Sequence, residues 1–334
     1  MAEMLGVATS QKEAIAKANK HLQDAEKFIN NWRVAANAPN IKFEDATTAY
    51  QKAAEAFRTV SKWQEACDAY AAAADIQLRM GCAEEAASFA SEAAEAAVKF
   101  NPADAVVFYR NAISLFCEVG RFGTAGRLQK KLAEWYEEDR NYDECIDQYR
   151  QASDYYLGDG MVQQSDLCLL KCAYYQGLME EFDDAAEIYA NVGLRCLDHN
   201  LIKFNARDYF LRCGLVMLAA GETHHRKLKK YLMKFKHRDP SFCYSRECLF
   251  LENLLAMHGS SNIHVFADHV YDFDNVSHLD SWCLEMLYEL KTQVQTMFEE
   301  NTKKEVEEMQ KKKEEYAQEQ AEKEEKKRLS KVRA

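Results

Sequence analysis

Proline and glycine are scarce, three and twelve among 334 residues, and no run of alternating Val, Ile or Thr stands out. A β-sandwich or barrel needs many turn residues and a period of two, so the chain is expected to be all-α. No apolar run approaches the ~20 residues of a membrane span, and no basic N-terminal region leads into one. A cytoplasmic protein touching membranes only peripherally is therefore expected. The P-loop, GxGxxG, HExxH and GxSxG patterns are missing too. Cys168 and Cys172 lie four apart and His224 adjoins His225, but neither pair has a second pair at zinc-site spacing. No carboxylate pair stands out as acid and base. No catalytic residue, metal or cofactor is assigned, and the chain reads as a non-enzymatic binding scaffold. A net charge of −11 argues against nucleic acid as partner. The eleven cysteines occupy helical positions and read as small buried residues in a reducing compartment.

What is present is a repeat. The phrase acidic, small, three variable positions, tyrosine occurs at Asp45-Ala46…Tyr50, Glu65-Ala66…Tyr70, Asp104-Ala105…Tyr109, Glu144-Cys145…Tyr149 and Asp184-Ala185…Tyr189. A degenerate copy lies at Glu85-Ala86…Ala90. A helix with its turn takes about 20 residues and a helical hairpin about 40, so the chain reads as a tetratricopeptide-like right-handed solenoid of helical hairpins followed by a C-terminal helical bundle. The small residue lets neighbouring helices approach. The tyrosine packs one turn later with its polar tip toward a partner. Pro39, Pro102 and Pro240 each suit a helix start or inter-helix turn.

Four segments are expected: an N-terminal helix and hydrophobic loop (1–40), the solenoid (41–240), the bundle (241–298), and a charged low-complexity extension (299–334) that is helical or disordered. In the first, Ala14, Ala18, Leu22, Ala25 and Phe28 lie on or near one helix face. The following Phe28, Ile29 and Trp32, beside Lys27 and Arg33, either dip into a lipid headgroup region or let Trp32 fold back as a cap. In the solenoid, Arg121, Arg127, Lys130, Lys131, Lys171, Lys203, Arg207 and Arg212 fall on second helices of the hairpins. They form either one extended positive face for a long acidic partner or a solvated surface of scattered charge. Residues 224–238 carry seven Lys or Arg and no acid, with Leu228, Leu232 and Phe235 as an inner stripe. Arg226, Lys227, Lys229, Lys230 and Lys234 make this an additional basic patch for an acidic protein, a phosphoinositide or calmodulin. The bundle surface is acidic, including Glu252, Asp268, Asp272 and Asp274, and suits a basic partner. The extension pairs eleven acids with eleven bases.

Several phrases together resemble a known family. They include Val119-Gly120-Arg121-Phe122, Gln148-Tyr149-Arg150-Gln151-Ala152-Ser153-Asp154-Tyr155-Tyr156, Cys168-Leu169-Leu170-Lys171, Arg207-Asp208-Tyr209-Phe210, Ser245-Arg246-Glu247-Cys248 and Leu279-Asp280-Ser281-Trp282. Over roughly residues 10–298 the chain is similar to the soluble attachment proteins, SNAPs, and most similar to the alpha type. That resemblance implies an adaptor that binds assembled SNARE four-helix bundles on membranes. Several copies surround one bundle and recruit and stimulate the hexameric ATPase NSF for disassembly in vesicle fusion and transport. It implies that Arg121, Arg127, Lys171, Lys203 and Arg207 face the SNAREs, to which Lys131 of the same basic set is added, that Phe28, Ile29 and Trp32 lie at the membrane, and that acids near the C-terminal end meet the ATPase, a part that Glu252, Asp268, Asp272 or Asp274 would have to serve here. Leu167 stands where the alpha type commonly has lysine. The acids expected around Ala256, Gly259 and Ser260 are missing, and so is the penultimate leucine. The alternative is a helical-repeat scaffold for other proteins, or a phosphoinositide- or calmodulin-binding module through 224–238.

Overall fold

In a computed structural model the backbone is described over residues 2–30, 39–257 and 263–332, and side chains over 11–30, 43–257 and 263–316. No strand occurs among the described residues. The chain forms two compact units, Met1–Tyr175 and Gln176–Ala334. The first contains α1 (Ala2–Asn30), α2 (Pro39–Thr59), α3 (Trp63–Met80), α4 (Ala83–Ala97), α5 (Pro102–Glu118), α6 (Phe122–Glu138), α7 (Tyr142–Gly158) and most of α8 (Val162–Leu178).

These helices stop for a repeated local reason. Ser61, Gly81, Gly120, Arg140 and Gly160 all take positive φ, between 59° and 81°. Each closes its helix with paired backbone hydrogen bonds: Gly120 N–H donates to Cys117 O at 3.0 Å while Arg121 N–H donates to Phe116 O at 2.8 Å. The last carbonyls are thereby satisfied and the chain reverses within one turn. Starts are set by Pro102 at the first position of α5 with the Asn101 side chain accepting from Ala103 N–H, and by Asn141 accepting from Glu144 N–H.

Consecutive helices from α1 to α7 pack on one another, and the phrase sits at every junction. Ala46, Ala66, Ala86, Ala105 and Cys145 are buried, as are Tyr50, Tyr70, Ala90, Tyr109 and Tyr149. The period proves to be about 20 throughout, with single steps of 19 between Ala86 and Ala105 and 21 between Ala185 and Ala206. Ala125 on α6 and Ser165 on α8 are buried at the same register, although those helices lack the acid and the tyrosine. In the tyrosine's place α6 has Gln129, whose Nε2 donates to Gln148 Oε1 at 2.6 Å and Gln151 Oε1 at 2.9 Å. Ser165 shares a 2.7 Å hydroxyl hydrogen bond with Ser153. Buried polar groups thus meet each other instead of losing water for nothing.

The second unit holds α9 (Phe182–Cys196), α10 (Ala206–Ala219), α11 (His225–Arg238), α12 (Arg246–Met257), α13 (Ile263–Val276) and α14 (Ser281–Val332), with short 3-10 turns at Lys203–Asn205, Glu222–His224 and Pro240–Tyr244. The repeat continues: Ala185 and Tyr189 on α9 are buried, and so are Ala206 and Phe210 on α10. Helix α10 is the centre of this unit, with ten of its residues buried. Phe210 stacks on Phe235 at 3.9 Å and meets Phe242 edge-on at 5.2 Å. Trp282, fully enclosed at the start of α14, packs edge-on against Tyr189 at 5.4 Å. A Cβ on Gly177 would lie 2.8 Å from the Trp282 ring, so only glycine admits this approach.

The compact units divide at 175/176, with α9 and α10 packed on the C-terminal helices through Trp282 and the phenylalanine cluster. The reading of the N-terminal segment changes, and the extension takes the helical one of its two alternatives. Phe28 and Ile29 lie in the last turn of α1, not in a loop, and Trp32 lies outside the described residues. The buried face of α1 runs through Ala18 and Ala25, with Leu22 and Ile29 partly buried against the same core, while Phe28 points outward. Residues 299–332 continue α14 without a break, and from Phe298 to Tyr316 every residue is exposed. The 35 residues from 298 to the helix end span about 50 Å at 1.5 Å each.

Candidate partner-binding surface

In the first unit, ion pairs tie alternate helices together. Arg58 on α2 reaches Glu92 on α4 at 2.5 Å. Arg121, the N-cap of α6, meets Glu84 at the start of α4 at 2.9 Å, and Lys131 of α6 meets Glu95 at its end. Lys171 on α8 holds Glu137 on α6 at 2.8 Å. Three of these rungs join residues 34, 36 and 34 apart, nearly two repeats, so they form one ladder along the layer α2, α4, α6, α8. The repeat tyrosines brace it from the intervening helices. Arg58 donates to Tyr70 Oη at 3.4 Å, and Tyr149 Oη donates to Glu137 Oε2 at 2.6 Å.

Burial pushes the Glu137 carboxyl upward, but hydrogen bonds from Lys171, Tyr149 and Tyr175 outweigh it and hold the group below the ordinary carboxylate value. Burial, and then the bond to Glu137, raises Tyr149. The ladder cations keep 38–59% of their side-chain surface open in all four rungs. Such pairs contribute about 0–1 kcal/mol each, so an incoming polyanion can replace their carboxylates at low cost. Two open clefts flank α6 on this layer. One, of about 490 Å³, is lined by Lys130, Glu134, Glu137, Glu138, Tyr149, Leu167 and Lys171. The other, of about 370 Å³, includes Arg58, Trp63, Lys99, Lys131 and Trp135. Leu167 is 58% exposed at the first cleft.

The remaining sequence-assigned residues divide by occupation. Arg127 is exposed and makes no ion pair among the described residues. In the second unit Lys203 is exposed with its ammonium 5.4 Å from the Phe204 ring centroid, and Arg207 donates to Ser241 Oγ at 2.9 Å. Arg212 is a structural residue, not a surface cation. It pairs with Asp208 at 3.1 Å and Asp280 at 2.5 Å and lies 5.2 Å from the Trp282 ring. In the basic patch Lys227 is held by Asp183 at 2.8 Å, whereas Arg226, Lys229, Lys230 and Lys234 are exposed. Of the acids, Glu252 is engaged by Lys236 at 2.6 Å and Asp274 accepts from Leu279 N–H at 2.8 Å. Asp268 and Asp272, one turn apart on α13, are exposed. Arg58 and Lys99 were not anticipated. For Arg58 the signal was an acid, Glu92, 34 positions later, a spacing that means little until the repeat length is known.

The family model described as Soluble NSF attachment protein, SNAP, matches residues 9–295. The chain belongs to the SNAP family. Among its relatives are the beta-soluble NSF attachment protein of Bos taurus, 30% identical over 86% of this chain and 96% of that protein, and the alpha-soluble NSF attachment protein of Homo sapiens, 29% over 84% and 93%. The alpha protein of Saccharomyces cerevisiae is 30% identical over 79% and 90%. Alpha and beta types match at the same level, so identity alone does not assign this SNAP to either. The free helix of α14 begins where the family match ends.

Proposed function

We propose that this SNAP-family chain is an adaptor: it binds the acidic surface of assembled SNARE bundles through cations on alternate repeat helices and brings NSF to them for disassembly. Its membership in a family of NSF attachment proteins supports this reading. The observation that carries it is the ladder layer, where cations recur on α2, α6 and α8 in ion pairs about two repeats apart in sequence and keep 38–59% of their side-chain surface open. An elongated, regularly charged partner matches that spacing better than a compact one. Arg127 and Lys203, exposed and in no ion pair among the described residues, are assigned the direct contacts. Arg121, Lys131 and Lys171 exchange internal carboxylates for those of the partner. Asp268 and Asp272 are the acids left open for basic domains of the ATPase. Phe28, outward in the last turn of α1, is placed at the membrane together with Trp32, and several copies are assigned to one bundle.

The test is capture of a purified SNARE bundle by Arg127→Glu combined with Lys203→Glu. Neither residue is in an ion pair among the described residues, so circular dichroism and the thermal midpoint should not move while capture falls at least about tenfold. Unchanged capture would remove these residues from the contact.

A further inference from the structure

We propose that the outward face of α11 is a contact surface for an anionic lipid bilayer, separate from the N-terminal segment. The helix is fixed in the fold by its inner stripe, since Leu228, Leu232 and Phe235 are buried and Phe235 stacks on Phe210. Its flanks are tied by Lys227–Asp183, Lys236–Glu252 at 2.6 Å and Arg238–Asp198 at 3.1 Å. A calmodulin-like partner takes hold of just such apolar anchors, and here it would have to unfold the helix to reach them. What remains outside is Arg226, Lys229, Lys230 and Lys234, all exposed and in no ion pair among the described residues, around Met233, which is 63% exposed.

At 100° per residue these four cations fall within an arc of roughly 140° with Met233 near its middle, and they span about 12 Å along the axis. No acid occurs between residues 223 and 238. An acidic protein would have to present four carboxylates at this spacing with one methionine as its only apolar anchor. Lipid phosphates diffuse laterally to wherever the cations are, so a bilayer needs no such match. Clusters of four or more Lys or Arg on one helix face bind anionic leaflets in this way. The rest of the molecule reinforces the orientation. With a net charge of −11, the chain as a whole is repelled by an anionic surface, so a face with four cations, unpaired among the described residues, and no acid is favoured to meet it.

The experiment is co-sedimentation of the full chain with phosphatidylcholine vesicles, with and without about 30% phosphatidylserine, at about 0.1 M salt. Wild type should bind the anionic vesicles, bind neutral ones far less, and release as salt rises. Replacing Arg226, Lys229, Lys230 and Lys234 with glutamine should lower partitioning by at least about 100-fold, since each cation near the surface is worth about fivefold. A control with Lys303, Lys304, Lys311 and Lys312 changed to glutamine alters net charge equally on the exposed part of α14 and should lose less than about threefold. Should the quadruple variant unfold, the single changes Lys229→Gln and Lys230→Gln each give the fivefold step. The proposal is overturned if the α11 variant binds like wild type, if the two quadruple variants lose binding equally, or if wild type binds neutral vesicles as well. No SNARE or ATPase is present, so the outcome is independent of the adaptor reading.

Discussion

At the scale of single residues, the repeat tyrosine brings together packing and charge. Its ring fills the space beside a small residue of the same helix, and at Tyr70 and Tyr149 its hydroxyl ends on an ion-pair rung. Tyr189 does the equivalent in the second unit, where it hydrogen-bonds Arg212. Glu137 is the most connected of these groups. Its folded pKa lies below the ordinary 4.5, so the stability it contributes is fully present above that value and is lost as pH falls through the folded pKa. Glu137→Gln should therefore lower stability at pH 7 and make urea midpoints less sensitive to acid below about pH 4.5. Equal acid sensitivity in both proteins would contradict the depressed carboxyl. The cysteines contribute little to charge: burial pushes the Cys145 and Cys172 thiols up to about 12. They behave as small packing residues.

At the scale of elements, a left-handed residue ends most of the helices and starts the next, at Ser61, Gly81, Gly120, Arg140 and Gly160, whereas α4 ends without one at Val98. Glycine fills it at Gly120, where an added Cβ meets no atom within 4 Å, whereas arginine fills it at Arg140. The strain is then in the backbone alone, which predicts opposite signs: Gly120→Ala should destabilise by about 1 kcal/mol and Arg140→Gly should stabilise by about 0.5 kcal/mol in urea titrations. Much of this level was legible in the sequence. The small and aromatic positions of the phrase are the buried ones, and Pro39, Pro102 and Pro240 each open a helix or 3-10 turn. The helices without tyrosine hid the true period, because Gln129 and Ser165 satisfy buried positions by hydrogen bonds that a hydrophobic pattern does not register. The ladder was hidden for another reason, since its partners lie some 35 residues apart and only stacking brings them together. Likewise, the sequence listed Arg207 and Arg212 as equals, and only Trp282 and Asp280, distant in the chain, make the second a half-buried anchor. Helix α14 gives the third prediction. No described side chain from Phe298 onward is buried, so removing residues 299–334 should leave the thermal midpoint within about 1 °C while helical ellipticity falls by the share of those residues. A large drop in midpoint would mean the extension packs on the body.

At the scale of the whole molecule, charge is segregated within each unit rather than expressed in the net value. The ladder layer and α11 present cations, α13 presents Asp268 and Asp272, and α14 carries balanced charge outward as an exposed helix. This segregation suits an adaptor that must hold differently charged partners at once, and it is invisible in a net charge of −11. Because the assigned SNARE contacts are exposed, they should weaken steeply as salt screens them. The most direct test of the account is the rate at which NSF disassembles a purified SNARE bundle in detergent, measured with and without this chain by loss of fluorescence transfer between two labelled SNAREs. The account predicts disassembly only when the chain and hydrolysable ATP are both present. With hydrolysis blocked, the chain, the bundle and the ATPase should be recovered as one complex. Disassembly that proceeds equally without the chain, or a chain that holds neither partner when hydrolysis is blocked, would contradict it.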